Sequence, residues 1–350
     1  MTAVRRPWFR LMGQLPPRRQ LLLTLLSFLS PIALWCFVSY VPFIWHPMVR
    51  VSNPGDVDWF NNGLLVDGDA FAAANAKIVA GGGRVAVGEP ANPVFLPAPH
   101  QVMRALVTGF VTAPARPDEP WLHQSLWHSI TIIFWGFLIS SAFGVPLGIL
   151  CGAIPEFAKL HEPFIEFFRY LPAPAFGALA VAMLGIYDAP KVAIIFVGTF
   201  FQQVLVIANS TRRIDPALLE VAQTLGASRR QLLFRVVIPG VITDIYTDMR
   251  VLLGWAWTYL IVAELIGVSS GITLFINQQA KYRAYDKVFA SIVLIGLIGL
   301  TTDVMLASLG RQIFPWAPSA RTGWLTQLKQ LRRRPNLPPN APAKQQAVRA

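Results

Sequence analysis

The chain has 350 residues, 54% hydrophobic and only 14% charged, with a formal net charge of +12. Soluble domains carry about 25% charged residues, so a soluble enzyme and an intrinsically disordered chain are both excluded for the bulk of the sequence. The two cysteines, Cys36 and Cys151, lie in uncharged apolar runs without metal-ligand spacing and read as small apolar residues.

A bilayer-spanning helix needs about 20 mostly apolar residues. On that criterion the sequence predicts six spans, at 21–45, 129–154, 171–187, 190–209, 246–267 and 288–311. The first follows a basic leader (Arg5, Arg6, Arg10, Arg18, Arg19). Its apolar run is too long for a secretory signal and no small-residue cleavage site follows, so it reads as a retained anchor. The third is short and interrupted by Pro172 and Pro174. Segment 46–128 is too long for an ordinary connection and reads as a small subdomain or a hairpin. Within it, Gly83 to Gly88 has the glycine spacing of a phosphate loop. Glu89 stands where that loop needs Lys, so the run reads as a turn.

Basic residues are unequally divided. Segments 1–20, 155–170, 209–245 and 311–350 hold 20 of the 30, and the tail from Arg311 has no acidic residue. By the positive-inside rule these segments, and both termini, are cytoplasmic. The +12 is then explained by a lipid bilayer, without nucleic acid. The expected organisation is a cytoplasmic basic N-terminus (1–20), a first transmembrane helix (21–45) and an external, periplasmic segment (46–128). A helical core (129–316) and a basic, Pro-rich cytoplasmic tail (317–350) complete it.

The segment 209–245 carries strong local signals. Asp215-Pro216 is a helix start, an Asp cap followed by Pro at the first helical position. The helix Ala217–Leu225 is expected to end at Gly226 in a left-handed cap. Ser228 and Gln231 form a capping box for a second helix, which Pro239 is expected to stop. Taken alone, 215–238 could be a DNA-binding helix–turn–helix on a membrane-anchored regulator, but both ends are pinned in the bilayer. An integral membrane enzyme is the other alternative, although no nucleophile–base set is evident. His46, His100, His123, His128 and His161 are scattered, and no metal site is expected.

Glu220-Val221-Ala222, then Gly226, then Val236-Val237-Ile238-Pro239 resembles the EAA loop of ABC-type importer permeases, with Val221 where the family usually has Ala. Leu96-Pro97-Ala98-Pro99, Arg169-Tyr170-Leu171-Pro172, Leu184-Gly185-Ile186, Lys191, Val262-Ala263-Glu264 and Pro315-Trp316 resemble the nitrate/sulfonate/taurine branch, over about 96–316. Segment 46–95 has no counterpart in that resemblance.

The resemblance implies an all-α type I ABC importer permease fold in a bacterial inner membrane. It also implies a homodimer, cytoplasmic ATPase subunits, an external substrate-binding protein and a small anion or nitrogen/sulfur compound as cargo. No Walker motif is present, so ATP and Mg belong to the partner ATPase and this chain needs no cofactor. Glu220, Ala222 and Gly226 would dock the ATPase and Pro239 would shape the loop. Ala222 and Gly226, small and four apart, would let one helix face approach the partner, and Glu220 would lie near the positive helix start. Candidate path residues are Gln202, Gln203, Trp255, Trp257, Thr258 and Glu264, because intramembrane polar groups usually face a bundle interior. Glu264 equally fits a capping or pairing role at the outer interface. Asp303 reads as a helix–helix pairing residue.

Overall fold

The structure, a computed structural model, describes residues 17–41, 47–114, 120–266 and 270–317. The chain divides into two units, residues 1–38 with 318–350, and residues 39–317. Helix α1 (Pro17–Tyr40) contains the described part of the first unit. From Leu21 onward it is uncharged, and Leu22, Phe28 and Leu34 are exposed on it. A helix apolar on every side suits lipid rather than water. The expected span end at 45 lies partly outside the described residues.

In the second unit, the segment after α1 folds as a small α/β element. Strands β1 (Met48–Asn53), β2 (Leu65–Asp67) and β3 (Val87–Ala91) form an antiparallel sheet in the order β2-β1-β3. Helix α2 (Gly68–Ala80) covers it. Val51, Val57, Phe60, Val66 and Ala86 form its core, with Phe71, Ala74 and Ile78 of α2 packed against them. The Asn75 side chain clips the entry to β3, donating to the Ala86 carbonyl at 3.0 Å and accepting from its N–H at 2.8 Å. The phosphate-loop look-alike resolves into a turn at Gly81-Gly82 and strand β3. Gly88 is needed there because a Cβ would lie 2.4 Å from the Val49 side chain. Pro90 is tolerated because β3 is an edge strand. Helix α3 (Pro99–Val111) then packs on the last described helix, Tyr285–Ile313.

The bundle is built on α4 (Leu122–Ala153) and α7 (Asp188–Arg212). Their close approach has a sequence cause. Gly136, Gly144, Gly148 and Gly152 of α4 face Ile195, Gln203, Ile207 and Thr211 of α7. A Cβ at any of the four would come within 3 Å of those side chains. Small residues of this kind let membrane helices meet backbone to backbone. Helices α10 (Ile238–Ile266), α11 (Ile272–Lys281) and α12 (Tyr285–Ile313) complete the bundle. Its core is centred on Ile194, Ile195, Ala256, Leu260, Ala263 and Ile272.

Two expectations are corrected. The span expected at 171–187 is not a straight helix. Helix α5 (Pro155–Arg169) ends before it. A 3-10 turn (Ala173–Phe176) and α6 (Gly177–Leu184) then follow at a bend of 87°. Pro172 and Pro174 remove two backbone donors, and Pro172 disfavours the helical region for Leu171 before it. The eight residues of α6 reach only about 12 Å, short of the roughly 30 Å of hydrocarbon. Among the described residues five helices are long and apolar enough to cross a membrane, or six if the bent pair counts as one span.

The second correction is Pro239, which does not stop a helix. The turn α9 (Arg229–Gln231) passes through a π-helical stretch, Leu232–Val237, directly into α10, giving one span from Arg229 to Ile266. In a regular helix the Pro239 ring would strike the Arg235 carbonyl. The widened turn, in which Ile238 N–H donates to the Leu233 carbonyl, absorbs the extra bulk.

Candidate docking segment and polar groups of the bundle

The stretch outside the long helices is shorter than the expected loop 209–245. α7 runs to Arg212 and helix resumes at Arg229. Between them stands α8 (Pro216–Thr224), held by its two ends. At the start, Asp215 Oδ1 accepts from Ala217 N–H at 3.0 Å. At the finish, Gly226 takes φ +80°, its N–H donates to the Gln223 carbonyl at 2.9 Å, and Ala227 N–H donates to the Ala222 carbonyl at 3.0 Å. This is the paired cap that a left-handed glycine makes possible. Ser228 N–H then donates to Gln231 Oε1 at 2.9 Å, and Gln231 N–H to Ser228 Oγ at 3.4 Å, completing the expected capping box.

The geometry revises how the four loop residues act together. Gly226 is past the helix end, so it shares no helical face with Ala222, which is half-buried. Glu220 is exposed but is the fifth residue of α8, beyond the first turn in which the helix dipole is felt. Pro239 is exposed on the long helix that follows. The open surface of α8 is formed instead by Leu218, Val221 and Leu225, beside Glu220.

The six candidate path residues do not gather in one place. Gln203 is fully buried between α4 and α7, accepting from Ser140 Oγ at 2.6 Å and donating to Ser141 Oγ at 3.2 Å. Gln202, its neighbour on α7, is half-buried. Trp257 packs against the main core, whereas Trp255 and Thr258 share an exposed face of α10 with Val251. Glu264 is 1% exposed. Its Oε2 accepts from Thr273 N–H at 2.8 Å and its Oε1 from Ser129 Oγ at 2.5 Å, while Ser129 Oγ accepts from Ile272 N–H at 2.9 Å. Glu264 and Ser129 thus cap the first two donors of α11 from two other helices, which is the capping role left open by the sequence. Gly271, at φ +103°, makes room, since a Cβ there would fall 2.0 Å from Glu264 Oε1. Asp303 pairs with Arg250 at 2.7 Å, joining α12 to α10 as expected.

A second polar knot lies one residue away and was not anticipated. Lys191 is 0% exposed; its Nζ donates to Asp188 Oδ1 at 3.1 Å and to Ser270 Oγ at 2.8 Å. His128 Nε2 lies 3.0 Å from the same Asp188 oxygen and 2.7 Å from Ser270 Oγ. Burial alone would raise the Asp188 carboxyl, but the hydrogen bonds from Lys191 and His128 outweigh it and hold it below the ordinary carboxylate range. The sequence signals were Lys191, as part of the branch resemblance, and its i,i+3 spacing from Asp188; the partners of the pair are 60 to 82 residues away. Among the described residues no group of three or more His, Cys, Asp or Glu is placed to hold a metal ion.

These features define a class: a multi-pass membrane subunit with internally satisfied polar knots and a short, exposed helix between two spans. Residues 144–315 match the family of binding-protein-dependent transport system inner membrane components. The chain is 32% identical over 225 residues to the taurine transport system permease protein TauC of Escherichia coli (strain K12), covering 64% of this chain and 81% of that one. It is 31% identical over 229 residues to the putative aliphatic sulfonates transport permease protein SsuC of the same strain, covering 64% and 83%. It is also 27% identical over 187 residues to the bicarbonate transport system permease protein CmpB of Synechococcus elongatus (strain PCC 7942), covering 53% and 67%. Among solved structures it is similar to a chain of the inward-facing MetNI methionine ABC transporter, with TM-score 0.49 and 17% identity over 57% of this chain and 97% of that one. The chain belongs to the family of binding-protein-dependent transport system inner membrane components. It is a multi-pass permease subunit of an ABC importer in the inner membrane, not an enzyme.

Proposed function

We propose that α8 is the contact through which a cytoplasmic ATPase subunit drives this permease, and that both termini lie on that side of the membrane. One observation carries the reading. The nine residues of α8 include none that is buried, and Leu218, Val221 and Leu225 are 52%, 59% and 82% exposed. A helix of this length is marginal in water by itself, and contiguous exposed apolar groups mark a surface that a partner covers. Glu220, exposed beside them, offers a carboxylate to a basic group of the partner.

The rest of the assembly follows from this assignment. ATP and Mg bind the partner, and its closure moves two copies of α8 together. That motion tilts the spans between two states with different pore access. A second copy of the chain meets the exposed face of α10, and Trp255 and Thr258 border the path. Segment 46–128 lies on the external side, where a binding protein delivers cargo. The names of the similar permeases point to a small sulfonate, aminosulfonate or bicarbonate-like anion.

The test is Gly226→Asp. A Cβ at Gly226 meets nothing within 4 Å in this chain, and Asp tolerates the left-handed conformation at a cost of roughly 1 kcal/mol. The variant is expected to reach the membrane at normal level, lose the co-purifying ATPase and lose uptake. Retained uptake with retained ATPase would remove α8 from the docking role.

A further inference from the structure

Helices α8 and α11 end in the same paired cap, yet with different residues in the left-handed position. In α8 it is Gly226. In α11 it is Arg283, at φ +57°, the only residue other than glycine with positive φ among the described residues. Its N–H donates to the Ala280 carbonyl at 3.0 Å and Ala284 N–H donates to the Gln279 carbonyl at 2.9 Å. A side chain in this conformation strains the backbone, and such strain tends to sit at ligand clamps. The capping itself needs only glycine, so the guanidinium is the part of Arg283 that the cap does not explain.

Arg283 lines a cavity of about 870 Å³. One wall is the sheet, through Arg50 and Glu89. Another is α3, through Arg104. The third is the α11–α12 junction, through Arg283 and Asp286. The volume lies within the range of small-molecule sites. Among the described residues, none of these five charged side chains makes a hydrogen bond or ion pair, although Arg50 and Glu89 are directly opposite in the β1–β3 register. Three unpaired cations and two unpaired carboxylates therefore face one space. A simple anion would satisfy only the first set and a simple cation only the second.

We propose that this cavity binds a small zwitterion, an aminosulfonate or amino acid. Arg50, Arg104 and Arg283 hold its acidic head through the fork geometry that suits sulfonate and carboxylate. Glu89 and Asp286 meet its ammonium group. The site is independent of the docking reading: it involves neither α8 nor an ATPase, and Arg50, Glu89 and Arg104 lie outside the residues matched to the family.

The experiment is calorimetric titration of the purified full chain in lipid nanodiscs, without ATPase, using taurine and β-alanine. Isethionate, which has a hydroxyl in place of taurine's amine, and ethanolamine, which lacks the acid, are the controls. Saturable binding of taurine or β-alanine is expected, at least tenfold tighter than either control. Arg104→Gln, on an exposed face of α3, should weaken it tenfold or more. Glu89→Gln should weaken the zwitterion while leaving isethionate unchanged. Arg283→Gly should abolish binding with a thermal midpoint at or above that of the parent, because glycine relieves the strained cap. No saturable binding, isethionate binding as tightly as taurine, or binding indifferent to Arg104→Gln would each overturn the proposal. Since the titration contains no ATPase, its failure leaves the α8 assignment standing, and the reverse also holds.

Discussion

The start of α11 and the segment around α8 both combine polar groups with glycine, but they use them in opposite ways. At the start of α11, Glu264 and Ser129 are sealed in the bundle and their polar atoms meet donors or acceptors from other helices. Around α8, the hydrogen bonds of Asp215, Gly226 and Ser228 stay within a few residues, and the apolar surface between them is left open. Buried polar groups with partners from distant elements fix a fold. Local caps on an exposed helix fix only that helix and leave its face to something outside the chain. The glycines show the same division. Gly271 is closed in, with Glu264 in the place of its missing side chain, whereas Gly226 looks onto empty space.

The largest expected effect is on the buried side of this comparison. Glu264→Leu leaves the Thr273 N–H and the Ser129 hydroxyl without their acceptor, and each unsatisfied buried group costs about 1–3 kcal/mol. A sharply reduced membrane level and thermal midpoint are expected. Glu264→Gln keeps a carbonyl for Thr273 N–H and an amide that can donate to Ser129 Oγ, so it should remain folded and support uptake. A stable Glu264→Gln protein that had lost uptake would show the position acting on cargo, and the two regions would no longer differ in kind.

What the sequence made legible follows the range of the interactions. The start and end of α8, the Ser228 box and the left-handed Gly226 were all readable, because each rests on residues within five positions of one another. Asp303 was readable as a pairing residue because an acid in an apolar helix needs a partner. The knots around Glu264 and Lys191 were not, since Ser129 lies 135 residues before Glu264 and Ser270 lies 79 after Lys191. Pro239 misled for a related reason. A local rule says that proline ends a helix, and the π-helical turn that rescues it leaves no mark in the sequence. The break at 170–172 falls at the expected start of the third span, 171–187, and Pro172 and Pro174 signalled its interruption, but hydropathy alone gave the short helix that follows the length of a full span.

A middle-sized effect tests the exposed side. Asp215→Ala removes the side-chain acceptor for Ala217 N–H, a loss of about 1 kcal/mol for a typical cap. In a nine-residue helix with no buried residue, that is a large share of what holds it. ATPase co-purification should fall several-fold while the thermal midpoint of the isolated permease barely moves, because α8 adds little to the bundle. A midpoint that fell together with co-purification would mean that α8 is part of the fold rather than a surface held out from it.

Ser228→Ala should have the smallest effect, although it also deletes a cap. Its bond from Gln231 N–H is long, at 3.4 Å, and the helix it starts continues for 38 residues to Ile266. Val237, Val241, Ile245, Leu252, Ala256 and Leu260 bury that helix against its neighbours, so its position is fixed by packing along its length. Losing one acceptor at an exposed first turn, where water can replace it, should cost about 0.5 kcal/mol or less. Uptake and ATPase co-purification should then match the parent within error. If Ser228→Ala instead mimicked Asp215→Ala, the cap at 228 would be setting the angle at which the chain leaves α8. The docking surface would then extend past Gly226 into α9, where Arg229 and Arg230 are exposed.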